Sequence, residues 1–319
     1  MEEIKVRQRE RESERERERE RDVKEGDKNT TYFHAAANQR RRKAVTALEG
    51  SDVMVEENGA MLKLAVDFYK KLFGFEPRLG VKLRDDFLKS EEKVTSSENA
   101  ALEAPFAEEE IKAAVFESYS DGAPGPNGLP FLFYQKFWEV VKKDLRALFS
   151  SFDKEEINLA RLNYATIILI PKEPNANNLR KFRPISLLNC SFKIFSKALN
   201  NRLIKVCDRL IALNQTAFIK GRFILESVVA AREIIHEVSR KKEKGVILKL
   251  DYEKAYDRVS WEFLEETLDS RGFGTKWIHW IRCVVRDGSL CVRLNDEDNH
   301  HFKLGKGLRQ SDPLSPPPF

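Results

Sequence analysis

Residues 245–268 read GVILKLDYEKAYDRVSWEFLEETL, and a change of periodicity inside them sets the expected architecture. Val246, Leu248 and Leu250 alternate with Ile247, Lys249 and Asp251, so a period-two strand would bury the first set and turn the second toward a cleft. After Asp251 the spacing changes. Trp261, Leu264 and Leu268 recur at helical intervals, with Asp257 or Ser260 available as the N-cap. A carboxylate where a buried strand opens into a turn is well placed to hold a divalent cation, because Mg²⁺ takes one or two protein carboxylates and shares the rest of its shell with substrate phosphates. The same position also suits a plain turn residue that ends a strand, and on the local sequence alone that plainer reading wins.

Upstream, YATIILIPK at 164–172 and FRPISLL at 182–188 bracket an Asn-rich connection and read as a long-looped β-hairpin. Pro184 holds Arg183 extended and removes one ladder donor, which fits an edge strand. Residues 191–207 form the clearest helix, with Phe192, Phe195, Leu199, Leu203 and Val206 on one stripe. Lys193, Lys197 and Lys205 line another face, which either meets solvent or follows a nucleic-acid backbone. A helix over 223–241 then leads into the Asp251 strand. Beyond it, 275–286 is a helix with Trp277, Ile278, Ile281 and Val285 inward, and 289–294 with 301–304 make a final hairpin.

The first half of the chain reads as helical. Leu62, Ala65, Phe68 and Leu72 share a face over 60–73, and Ile111, Ala114 and Val115 point inward over 108–118. Ala107 offers that second helix no side-chain cap, at a cost of about 1 kcal/mol. DGAPGPNG at 121–128 is a loop whose glycines allow close backbone approach. Pro130 then opens a helix with a core stripe of Phe133, Phe137, Val141, Leu145 and Leu148.

Composition narrows the class. The 319 residues carry a net charge of +5, and residues 1–22 are an Arg/Glu run with no apolar face, expected to be a solvated helix or disordered. A basic balance outside that run suits a polyanionic partner. The four cysteines show no Cys-x-x-Cys pairing and are expected as buried apolar side chains in a reducing compartment. No apolar run approaches the roughly 20 residues of a membrane helix and no signal pattern opens the chain, so a soluble, intracellular protein is expected.

LDYEKAYDRV at 250–259 resembles the first catalytic box of the reverse transcriptases of non-LTR (LINE-type) retrotransposons, especially those of plants. IPK at 170–172, FRPISLLNCSFKIFSKALNNRL at 182–203 and GLRQSDPLSP at 307–316 follow in that family's order and approximate spacing, and 26–50 is similar to the linker that precedes the polymerase. The resemblance implies an α+β fold, the fingers and partial palm of a right-hand polymerase. Residues 1–25 would be a charged low-complexity segment, 26–150 a helical extension, and 151–319 the fingers and partial palm. It implies RNA-directed DNA synthesis with Mg²⁺, an RNA template, a DNA primer and deoxynucleoside triphosphates, at a nuclear location.

Residue by residue, the resemblance makes Asp251 the catalytic metal ligand, helped by the Tyr252 carbonyl. Lys172 and Arg183 would hold the triphosphate, Tyr256 would face the sugar, and Gln310 would border the base. Lys193, Lys197, Lys205 and Arg222 are candidate template or primer contacts. The sequence departs from the family at Ser311, where Gly is usual, which puts the pocket geometry in question. The family's Tyr-x-Asp-Asp turn and thumb do not occur within the 319 residues, and the only adjacent aspartates, Asp85 and Asp86, lie in a charged segment upstream. The expectation is a truncated fragment, inactive alone for want of partner carboxylates. The alternative is a non-catalytic nucleic-acid-binding remnant of a degenerate element.

Overall fold

The computed structural model describes residues 44–315 except 51–52, 78–79, 81, 85–91, 218, 220, 243, 251 and 253, with nothing said of the Asp208 side chain. The charged segment 1–25, Asp85, Asp86 and Asp251 therefore lie outside the described residues, as do Arg40, Arg41, Arg42 and Lys43, a basic run that the sequence offers as an RNA contact or nuclear address or as plain solvated surface. In chain order the elements are β1 (Leu48–Glu49), β2 (Met54–Val55), α1 (Asn58–Phe73), α2 (Ser96–Leu102), α3 (Glu108–Phe116), α4 (Phe131–Lys136) and α5 (Trp138–Asp153). There follow β3 (Tyr164–Pro171), β4 (Phe182–Leu188), α6 (Cys190–Leu210), α7 (Ile224–Arg240), α8 (Trp261–Ser270), α9 (Thr275–Arg286), β5 (Ser289–Leu294), β6 (Glu297–Asp298) and β7 (Phe302–Lys303).

Helix α6 is the hub. Its expected stripe is buried in full, and burial continues round the helix through Ile194, Ala198 and Arg202. Phe195 stacks on Phe149 of α5 with ring centroids 4.1 Å apart, and Phe152 of the same helix stacks on Trp280 of α9 at 5.6 Å. One continuous apolar core thus joins the N-terminal helices to the sheet and to α9.

The sheet runs β4-β3-β5-β6, with β7 also pairing with β5. The expected hairpin forms, with β3 antiparallel to β4 and Ile170 opposite Arg183. Strand β4 sits at the edge, as Pro184 requires. Ser186 sends its N–H outward to Gln310 O at 3.3 Å, so the donor that proline lacks two residues earlier belongs to the same outer side. The second hairpin also forms, Leu290 facing Phe302, and β5 lies parallel to β3 with Ile167 opposite Val292.

Three expectations need correction. Residues 246–250 join no strand, and Val246, Leu248 and Leu250 are 95%, 78% and 63% exposed. Strand β5 is already flanked by β3 on one side and by β6 and β7 on the other, and the outer side of β4 lacks one donor at Pro184 and has spent another on Gln310. The long strands therefore offer 246–250 no free run of partners. Helix α7 forms where expected and buries none of its residues. In α1 the buried face is Met61, Ala65, Tyr69 and Phe73, with Leu62, Phe68 and Leu72 only partly covered, because the larger Tyr69 and Phe73 rings take the centre of the face. The helix expected after Pro130 breaks at Phe137, which is exposed at φ −103°, ψ 25°; Trp138 replaces it in the core.

Polar ties fix the N-terminal helices to α6. Arg202 donates to Glu110 at 2.9 and 2.7 Å and to the carbonyls of Leu102, Ala104 and Pro105 at 2.8, 2.6 and 3.1 Å, and its guanidinium lies 3.9 Å from the Phe106 ring centre. That hydrogen bond holds the Glu110 carboxyl below the usual carboxylate range. Glu110 also accepts from the Ala107 N–H at 3.0 Å, supplying half of the missing cap. Arg202→Ala is expected to cost about 3–5 kcal/mol, because it strips a buried pair and leaves three carbonyls unmet. A urea midpoint unchanged from the parent would refute this.

Candidate nucleotide site

The end of the β3–β4 hairpin carries the two expected phosphate-binding cations. Arg183 lies opposite Ile170, and Lys172, two residues on, continues the same face; its N–H still donates to Lys181 O at 2.8 Å. The Lys172 ammonium donates to Arg180 O at 3.1 Å, and both side chains are exposed. A mobile ammonium beside a guanidinium fork is suited to a polyphosphate.

Beside them, the turn Tyr256–Arg258 receives the segment 307–312 edge on. Gly307 N–H donates to Val259 O at 2.8 Å, Leu308 N–H to Tyr256 O at 2.7 Å, and the Trp261 indole to Gly307 O at 2.8 Å. Only glycine fits at 307: φ is +91°, and a Cβ there would meet Asp257 O at 2.6 Å. Ser260 caps α8 by accepting from Phe263 N–H at 3.2 Å, which leaves Asp257 free of the capping role.

Asp257 instead turns inward and is 1% exposed. Its two carboxylate oxygens accept from Gln310 Nε2 at 3.3 and 3.4 Å. Burial pushes its carboxyl up to about 6, against the pull of Lys254, the Gln310 hydrogen bond and Lys172. Lys254 lies 4.4 Å over the Phe68 ring, and Tyr69, whose hydroxyl is pushed up by burial and by the Asp257 charge, closes the far side from α1. Sequence reading weighed Asp257 only as a cap. The available signal was an acid between Tyr256 and Val259 with Ser260 already serving as the better cap.

The remaining expected residues are dispersed. Tyr252 is exposed and Tyr256 half-buried. Lys197 is paired with Glu117 at 3.3 Å, Lys205 lies near Glu110, and Lys193 lies near the Cys190 thiol, so the lysine stripe of α6 runs largely beside α3 and its C-terminus. Arg222 donates to the carbonyls of Ala212, Gln215 and Ile211 at 2.6, 2.9 and 3.1 Å, fastening its own loop. The 121–128 loop makes its close approach to the chain itself: a Cβ on Gly125 would sit 2.4 Å from Asn189 N, and Asn189 Oδ1 accepts from Asn127 N–H at 3.1 Å. All four cysteines are free thiols, three of them buried. Among the described residues no three His, Cys, Asp or Glu side chains converge as metal ligands, and Asp251, the expected ligand, lies outside them, so no step is derived through a metal. No helix among them is long and apolar enough to cross a membrane.

Residues 170–319 match the family model for reverse transcriptase (RNA-dependent DNA polymerase). This part of the chain is a reverse transcriptase domain. Its homologues are proteins of non-LTR retrotransposons. The transposon TX1 uncharacterized 149 kDa protein of Xenopus laevis is 29% identical over 292 residues, which is 91% of this chain and 22% of that protein. The retrovirus-related Pol polyprotein from type-1 retrotransposable element R2 of Nasonia vitripennis is 27% identical over 213 residues, 66% of this chain and 20% of its own length. The chain therefore spans about a fifth of the length of these curated relatives.

Within the reverse transcriptase domain, Ser311 has φ +91°, third in a turn closed by Asp312 N–H to Arg309 O at 3.2 Å. A positive φ at that position favours glycine. Relief of backbone strain, about 1–3 kcal/mol, outweighs the extra unfolded-state entropy of glycine, so Ser311→Gly is expected to stabilise by about 1 kcal/mol. An unchanged or lower urea midpoint would count against this.

Asp257 gives a pH signature. Its folded value of about 6 lies above the ordinary 3.8, so its stabilising contribution is complete below pH 3.8 and is lost as pH rises through 6. Asp257→Asn removes this titration while keeping an acceptor for Gln310. The variant is expected to be more stable than the parent by about 1–3 kcal/mol above pH 7, with the gap closing toward pH 4. A gap that stays constant across that range would show that Asp257 does not titrate in this way.

Proposed function

We propose that the described residues are the nucleotide-binding part of an RNA-directed DNA polymerase of the non-LTR retrotransposon kind. The reading assigns the β3–β4 hairpin to the fingers and the 256–258 turn with 307–312 to the floor of the pocket. The observation that carries it is convergence. Boxes more than 50 residues apart in sequence meet through Ser186 N–H to Gln310 O, Leu308 N–H to Tyr256 O, and Gln310 Nε2 to Asp257, with |i−j| of 53 for the last. Lys172 and Arg183 neutralise the triphosphate, the 307–312 backbone supplies a rigid wall, and Gln310 presents an amide to the nucleotide. An RNA template and DNA primer are the partners this reading implies, and the likeness of 250–259 to plant elements supports a plant source and, with the family resemblance, a nuclear site of action.

The test is equilibrium binding of a labelled deoxynucleoside triphosphate to the full chain. Lys172→Ala with Arg183→Ala is expected to weaken binding by roughly 10- to 100-fold, the loss of two charge-assisted contacts at an exposed site. Primer extension by the full chain on an RNA template is a second readout. Equal affinity of parent and double variant would overturn the assignment of these cations to phosphate.

A further inference from the structure

The Asp257–Gln310 contact has a chemical direction. An ionised carboxylate only accepts, so the side of the Gln310 amide that faces Asp257 must be Nε2, and both carboxylate oxygens lie within 3.4 Å of it. The amide's other half, Oε1, has no hydrogen-bond partner among the described residues, and Gln310 is half-exposed while Asp257 is buried. The backbone on both sides is fixed, since Gln310 O accepts from Ser186 N–H and Leu308 N–H donates to Tyr256 O. Around the carboxylate stand Lys254 from its own turn, Lys172 and Tyr69, so two other segments of the chain adjoin it.

We propose that Asp257 is a positioning residue of the nucleotide pocket: by holding Gln310 Nε2 it leaves Oε1 as an outward acceptor, so that the pocket reads a hydrogen-bond donor on the incoming nucleotide. The inference rests on the nucleotide reading above and adds to it the residue that orients the amide and the chemical sense of the recognition. A sugar hydroxyl and a base N–H both present such a donor. Asp257 itself does not touch the nucleotide. It acts through Gln310, so the two residues form one unit rather than two independent contacts.

Four measurements on the full chain test this. In the unmodified protein the side-chain amide resonance of Gln310, assigned by its loss in Gln310→Leu, is expected to shift with pH together with the Asp257 carboxyl. Asp257→Leu removes the acceptor and puts a larger apolar side chain in its place, and is expected to weaken deoxynucleoside triphosphate binding roughly tenfold. Asp257→Asn, which can still accept from Nε2, is expected to restore binding to within about threefold. Gln310→Leu is expected to cost no more in the Asp257→Leu background than Asp257→Leu alone. A dideoxynucleoside triphosphate separates the sources: loss of the coupling with it assigns the donor to the 3′ hydroxyl, and retained coupling assigns it to the base. Additive effects of the two leucine variants, or a Gln310 amide that ignores the Asp257 titration while nucleotide still binds, would overturn the assignment alone. Failure of the unmodified chain to bind any nucleotide would overturn the pocket reading and this assignment with it. The amide resonance is measured on the parent protein, so it decides the matter even where Asp257→Leu fails to fold.

Discussion

The arrangement of the candidate site depends on one buried cation. Arg309 is almost wholly enclosed, donates to Asn163 Oδ1, to Val284 O at 3.0 Å and to Asp312 at 3.3 Å, and lies 4.8 Å from the centre of the Phe192 ring. Burial pulls its guanidinium below the ordinary range and Asp312 opposes that pull, but arginine remains charged. A planar fork with five donors can join the residue just before β3, the last turn of α9, the first turn of α6 and its own turn at once, where a lysine ammonium would reach fewer. The desolvation of such a group is costly, and the geometry of four partners is what makes it tolerable. Because Arg309 is adjacent to Gln310, the register in which it is locked is also the register in which Gln310 meets Asp257.

What was legible in the sequence was local. The stripe of α6, the inward face of α9 and the edge placement of β4 all follow from periodicity or from one residue's covalent chemistry, and these need no knowledge of distant segments. Ser311 is the sharpest case, since a residue type at odds with its expected backbone angle is found at φ +91°. The parallel pairing of β3 with β5 was not legible, because it joins strands more than 100 residues apart through a register that neither strand encodes alone. Asp257 escaped for a related reason: a carboxylate a few residues before a helix has the pattern of a cap until Gln310, Tyr69 and Lys254 close round it. The α1 face was misplaced by one position because Tyr69 and Phe73 bury more area than Leu62 and Leu72.

The segment that organised the sequence reading behaves differently from the rest. Ile224, Leu225, Val228, Val229, Ile234 and Ile235 on α7 are exposed together with Val246, Ile247, Leu248 and Leu250. An alternating apolar run is stable as a strand only when its backbone donors and acceptors find a ladder, and the long strands have no free run to give. Periodicity here reports what the residues would bury, while topology decides whether they do. The pocket floor survives this because it starts after that segment, at the 256–258 turn, and takes its bonds from 307–312 rather than from 246–250.

The costs in this fold are not spread evenly. Several non-glycine residues with positive φ, including Glu155, Asn175 and Asn295, occupy ordinary turns or loops, but Lys254 at +52° and Ser311 at +91° flank the Asp257–Gln310 contact. Asp257 is itself buried against its ionisation, and Gly307 is held where any side chain would collide with Asp257 O. Each of these features lowers stability by an amount that ordinary packing does not repay locally. They coincide within one turn and the segment that docks on it. The neighbouring core of α5, α6 and α9, with its stacked aromatic rings, supplies the surplus that holds them in place.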